Sequence, residues 1–165
     1  MYDFSGRVAV VTGASRSIGR AIALGLAEGG CKVVVNYSKS RGEAEDVVQS
    51  IQEMGGEAFS FRCDVSKREE VEDMFNAAIE EYGKVDILVN NAGIAIGGSI
   101  LDTTDEVWDR QLAVNLKGVF LCTQVAARHM VERRYGKIVN ISSNSGFGIA
   151  MDGETSYAVS KAGVI

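Results

Sequence analysis

The sequence predicts a doubly wound α/β fold, a parallel sheet with helices on both faces. Short runs such as Val8 to Val11 and Val33 to Val35 are apolar, β-branched and uninterrupted, the pattern of strands buried on both faces. Each run is followed by a segment whose apolar residues recur at helical spacing, and parallel neighbours need crossovers of that kind. Glycines punctuate the alternation: Gly13 after the first strand, then Gly29-Gly30, Gly55-Gly56 and Gly83 after successive helices.

Val8 to Val11 should be a central strand that turns at Gly13. Ile18 to Ala27 follows as a helix, because Ile18, Ala21, Ile22 and Leu26 share a face. Lys32 to Tyr37 repeats the buried strand and Glu43 to Met54 the helix. Ala58 to Cys63, Lys67 to Tyr82 and Val85 to Asn90 continue as strand, helix and strand. One long helix is expected from about Asp105 to about Val131. After it come the strand Lys137 to Ser142, a glycine-containing loop and a helix opening near Thr155. The charged runs Lys67 to Glu70 and Glu132 to Arg134 read as solvated helix surface. No linker or repeat interrupts the pattern, so residues 1–165 are expected to form a single domain.

Composition narrows the function. The 165 residues are 46% hydrophobic, enough for one real core. Seventeen basic and 22 acidic residues are evenly mixed to a net charge of −5, which disfavours nucleic acid as a partner. No apolar run approaches a membrane span, and no signal segment precedes the first strand, so a soluble cytoplasmic protein is expected. Cys31, Cys63 and Cys122 are widely spaced and without a C-x-x-C pair, which argues against disulfides or zinc. The lone His129 has no partners for a triad, and no metal site is expected.

The chemistry begins at Thr12-Gly13-Ala14-Ser15-Arg16-Ser17-Ile18-Gly19, between a strand and a helix. Gly13 permits a tight turn, Gly19 lets the helix pack closely on the strand, and free N–H groups opening the helix can receive a pyrophosphate. Asp64-Val65, Asn90-Asn91-Ala92-Gly93 and Ser143 each follow a strand, where ligands of open α/β sheets bind. Tyr157 and Lys161, four apart, share a helix face. An ammonium beside a phenol favours the phenolate and makes a workable proton donor near neutral pH. Taken alone, such a pair is more often ordinary helix surface.

These motifs, with Asn115, fall in the order of the short-chain dehydrogenases/reductases, which the chain resembles along nearly its whole length. The glycine loop is similar to that family's T-G-x-x-x-G-x-G, with Ser17 at the middle glycine. The resemblance implies a Rossmann-like fold and a hydride transfer between NADP(H) and a carbonyl or alcohol. Cofactor contacts would come from Gly13, Ser15, Arg16, Ser17, Ile18, Gly19, Asn36, Tyr37, Ser38, Asp64, Val65, Asn91, Ala92, Gly93, Tyr157 and Lys161. In the family's chemistry Tyr157 is the acid, Lys161 tunes it, Ser143 bonds the substrate carbonyl and Asn115 holds a water-mediated relay. Ser142 and Ser145 remain rivals to Ser143. NADP is preferred to NAD because Asn36-Tyr37-Ser38 offers no carboxylate to a ribose, while Arg16, with Lys39 and Arg41 nearby, can meet a 2′-phosphate.

The nearest subgroup by resemblance is the 3-oxoacyl-[acyl-carrier-protein] reductases, which implies a small-molecule or acyl-carrier-bound ketone as substrate, a role in fatty acid biosynthesis and a homotetramer. A glucose 1-dehydrogenase-like sugar or alcohol dehydrogenase is the alternative, and a catalytically silent nucleotide-binding fragment is another. Family members continue past the position of Ile165, so the C-terminal part of the family fold is expected to be absent. The strand Lys137 to Ser142 should then sit on an open edge.

Overall fold

A computed structural model of the chain describes residues 3–149 and 151–165. Five strands, β1 (Val8–Val11), β2 (Lys32–Tyr37), β3 (Ala58–Arg62), β4 (Ile87–Asn90) and β5 (Lys137–Asn140), form one parallel sheet in the order β3-β2-β1-β4-β5. The helices are α1 (Ser17–Glu28), α2 (Arg41–Glu53), α3 (Arg68–Tyr82), α4 (Asp105–Leu112), α5 (Gly118–Glu132) and α6 (Thr155–Ala162). The order reverses beside β1, which opens a crevice at the carboxyl ends of β1 and β4.

Period-two alternation explains why the strands are apolar throughout. Val10, Val34 and Leu88 point to one face, where Met74 and Phe75 of α3 and Leu121 and Val125 of α5 cover them. Ala9, Val11, Val33, Val35, Ile87 and Val89 point to the other, beneath Ala23 of α1 and Val47 and Ile51 of α2. This is the doubly wound, Rossmann-like arrangement. Gly83 ends α3 in the left-handed region at φ +77°, and Gly55 lies beyond α2 at φ +82°. The edge strand β5 is exposed along its whole length, with Ile138 and Val139 half open to solvent.

One expectation is corrected. The long helix is not continuous: a π-helical turn, Ala113–Lys117, separates α4 from α5. Asn115 lies within it, with its amide bonded outside the helix, and an extra residue per turn is how a helix admits such a side chain. The charged run at Glu132 to Arg134 is exposed as expected, and Arg133 within it also reaches the sheet end. Arg133 donates to the Val85 carbonyl (3.0 Å) and to the fully buried Asp86 (2.7 Å), which also accepts from the Val8 amide and from Lys84. Burial alone would raise the Asp86 pKa, but these donors hold it below the ordinary carboxylate value.

Candidate functional site

The turn after β1 is built by close approach. Gly13 is left-handed at φ +62°, and a Cβ there would stand 2.9 Å from the Ala92 Cα; a Cβ at Gly19 would run into the Gly13 carbonyl. Asn91 bonds the Thr12 and Gly13 carbonyls, and the Thr12 hydroxyl accepts from the Asn91 and Ala92 amides. The β1 and β4 turns are thereby locked together. Ser17, at the family's middle glycine, is also left-handed at φ +51°, which explains why glycine suits that position. Arg16 is the N-cap of α1 without a side-chain cap bond, so no cap side chain occupies the amides of the first turn.

A cleft of about 710 Å³ opens over this turn. Its walls contain fourteen of the residues expected to meet a nucleotide: Gly13, Ser15, Arg16, Ser17, Ile18, Gly19, Asn36, Tyr37, Ser38, Asp64, Val65, Asn91, Ala92 and Gly93. Lys39 and Arg110 line it too. Arg16 and Lys39 are exposed and in no ion pair among the described residues. Arg41, by contrast, is bound to Glu45 at 2.7 Å and lies outside the walls, so it adds nothing to the cleft's positive end.

Two wall residues are less free than expected. The buried Asn36 accepts from the Gly13 amide and donates to the Tyr37, Phe61 and Cys63 carbonyls, so its side chain shapes the turn from behind. Asp64 accepts from Ser66 through one oxygen and from Arg110 through the other at 2.9 Å. Burial pushes its pKa up, but these bonds bring it below the usual value, so it is a carboxylate at neutral pH. The Cys63 thiol, also in the wall, is pushed up to about 12 by burial.

Tyr157 and Lys161 are not part of the cleft walls. They stand on α6, with the Lys161 Nζ 5.8 Å from the Tyr157 ring centre. Lys161 is buried and donates to the Ile141 carbonyl at 2.8 Å; burial lowers its pKa. Gly93 separates it from Asn115: a Cβ on Gly93 would lie 3.6 Å from the Lys161 Nζ and 3.5 Å from the Asn115 Oδ1. The Asn115 amide is itself engaged, accepting from the Ile94 amide and donating to the Ile94 carbonyl and the Ser160 hydroxyl.

Among the three serines after β5, Ser142 is committed to the Lys161 carbonyl (2.7 Å), and Ser145 is buried against Glu154 (2.9 Å). Ser143 is partly exposed, caps a short 3-10 turn, Asn144–Phe147, by accepting from the Ser145 amide, and its hydroxyl lies 3.2 Å from the Asn144 Oδ1 and from the Ser145 Oγ. His129 lies in the last turn of α5, away from these groups. No cluster of three metal-binding side chains occurs among the described residues.

Three residues that hold this arrangement, Arg110, Gln111 and Ser156, lie outside the motifs, and Ser160 stands inside the Tyr157–Lys161 motif without a role read for it. Their only sequence signal is spacing, since Gln111 and Asn115, like Ser156 and Ser160, stand four apart on one helix face.

A family model described as short chain dehydrogenase matches residues 7–165. The chain is similar to a 3-oxoacyl-[acyl-carrier-protein] reductase FabG of Staphylococcus epidermidis, 44% identical over 157 residues, covering 95% of this chain and 64% of that protein. It is 41% identical over 165 residues to a 3-oxoacyl-[acyl-carrier-protein] reductase of Synechocystis, covering 66% of it. The chain thus spans just under two thirds of the length of these relatives. Among solved structures, a dehydrogenase/reductase from Sinorhizobium meliloti superposes with a TM-score of 0.92 at 35% identity, over 98% of this chain and 63% of that one. A short chain dehydrogenase from Burkholderia cenocepacia in complex with NADP gives 0.90 at 38% identity, over 96% and 64%. With the glycine turn, the cleft and the α6 pair in place, the chain belongs to the short-chain dehydrogenase family of oxidoreductases.

Proposed function

We propose that residues 1–165 act as one domain in an NADPH-dependent reduction of a ketone to an alcohol, of the 3-oxoacyl-[acyl-carrier-protein] reductase type. The observation that carries this reading is the pairing of Tyr157 with Lys161 on one face of α6, with the Lys161 Nζ beside Gly93 of the cleft wall. The donor set fits a dinucleotide phosphate: amides without a capping side chain at the start of α1 for the pyrophosphate, and Arg16 and Lys39 for a 2′-phosphate. Asp64 is the cleft's ionised acceptor, suited to an adenine amine. When bound, the reduced nicotinamide supplies the hydride.

The chain's own residues handle the proton. Tyr157 donates it to the ketone oxygen as charge develops there, and the Lys161 ammonium stabilises the phenolate left behind. Ser143 donates a hydrogen bond to the same oxygen, exchanging for it bonds of 3.2 Å to Asn144 and Ser145 that are longer than those engaging Ser142 and Ser145. Asn115 orders the far side of Gly93, where a water can return a proton towards Lys161. The similarity to acyl-carrier reductases favours a 3-oxoacyl thioester over a sugar.

The test is NADPH oxidation by the purified protein with a panel of 3-oxoacyl thioesters, set against NADP reduction with glucose and simple alcohols. Thioester-dependent turnover is expected, abolished by Tyr157→Phe with NADPH binding intact. Turnover on sugars alone, or substantial activity left in Tyr157→Phe, overturns the reading.

A further inference from the structure

Two amides four residues apart on the α4 and π-helical segment make the same set of bonds. Asn115 clasps Ile94, its Oδ1 accepting from the amide (2.8 Å) and its Nδ2 donating to the carbonyl (2.8 Å), and its Nδ2 also donates to Ser160 on α6 at 3.0 Å. Gln111 clasps Ile96, its Oε1 accepting from the amide (2.8 Å) and its Nε2 donating to the carbonyl (3.3 Å), and its Nε2 also donates to Ser156 on α6. Both amides are fully buried. The backbone partners are two residues apart along an extended loop and the serines four apart along a helix, so the rungs run parallel. Ser156 immediately precedes Tyr157, and Ser160 immediately precedes Lys161.

We infer that Gln111 is a positioning residue for the reaction proposed above, fixing the rotation of α6 and with it the Tyr157 phenol. A buried amide with all its partners met is geometrically demanding, because any rotation of α6 leaves polar groups unpaired in a dry interior. α6 is only eight residues long, and a helix so short does not fix its own orientation. Ser142, Ile141 and Ser145 also tie α6 through Lys161 and Glu154, and the Gln111 rung adds a tie at the residue next to Tyr157. The Asn115 rung holds the Lys161 end, and the Gln111 rung holds the Tyr157 end. The inference rests on Tyr157 being the proton donor, but the ladder itself is testable without turnover.

Two variants, Ser156→Ala and Gln111→Leu, are measured in the full chain for kcat, KM, NADPH binding and amide hydrogen exchange along α6. Ser156→Ala removes only the link to α6. It is expected to lower kcat roughly tenfold to a hundredfold, the scale of a misplaced reacting group. KM and the NADPH dissociation constant should stay within about twofold, because groundstate binding is untouched. Exchange in α6 should quicken while that of β1 and β4 does not. The double variant should be no worse than Gln111→Leu alone, since both remove one rung. Unchanged kcat and α6 exchange in soluble Ser156→Ala overturn the inference, as do additive losses in the double variant or a parallel loss of NADPH binding and global stability. If the parent shows no ketone turnover, the proposed function fails, and α6 exchange alone decides whether the ladder exists.

Discussion

Ser17 occupies a left-handed position, φ +51°, in the turn that opens α1. A non-glycine residue there costs ~1–2 kcal/mol through crowding of its Cβ against the neighbouring carbonyl. Ser17→Gly removes that cost and gives back ~0.5–1 kcal/mol to the greater freedom of glycine in the unfolded chain. The net gain lies within ~0–1.5 kcal/mol, about 0.75 kcal/mol at the midpoints, which for a chain of this size raises Tm by ~1.5–3 °C. Ser17 makes no side-chain hydrogen bond that the change would sacrifice among the described contacts. The assay is thermal or urea unfolding of wild type, Ser17→Gly and Ser17→Ala. Alanine keeps the Cβ, so it should leave stability within about 0.5 kcal/mol of wild type. Equal effects of glycine and alanine would refute the argument, because strain at φ +51° would then not be the cause. The same turn supplies the opposite sign at Gly13, where a Cβ meets the Ala92 backbone at 2.9 Å: Gly13→Ala should destabilise the protein and cost nucleotide binding.

Arg16→Ala should weaken NADPH by ~1.5–3 kcal/mol, the worth of a hydrogen bond to a charged group, and leave NADH little changed; equal losses in a titration of both would remove Arg16 from the 2′-phosphate. Gly93→Ala places its Cβ in ordinary contact with Asn115 and Lys161, so the fold should survive with Tm nearly unchanged while turnover falls sharply. A variant as active as wild type would show that the space between those groups is not used. Burial lowers the Lys161 pKa beneath its ordinary 10.5, so between the folded value and 10.5 the unfolded chain binds the proton more firmly. Wild type should therefore gain stability relative to Lys161→Met as pH rises towards 10.5, and denaturation curves showing the reverse trend would contradict the burial of that ammonium.

The strands and the crevice at the ends of β1 and β4 are legible in local sequence. Val8–Val11 and Lys32–Tyr37 are legible because burial on both faces demands an unbroken apolar run, a local property of each segment. Gly13, Gly19 and Asn91 are legible because a tight turn under a helix end tolerates few residue types, and the cleft walls contain every residue the motifs assigned to them apart from Tyr157 and Lys161. Only the tertiary structure decided the rest. Val85 and Arg133 are 48 residues apart and Arg110 and Asp64 are 46 apart, so neither pairing leaves a local signal. A regular helical period ran straight through Asn115, because the π turn follows from what its amide reaches in the loop beyond β4. Gln111 looked like any polar residue on a helix, until folding set it against Ile96 and Ser156 in an interior where an unpaired amide is costly.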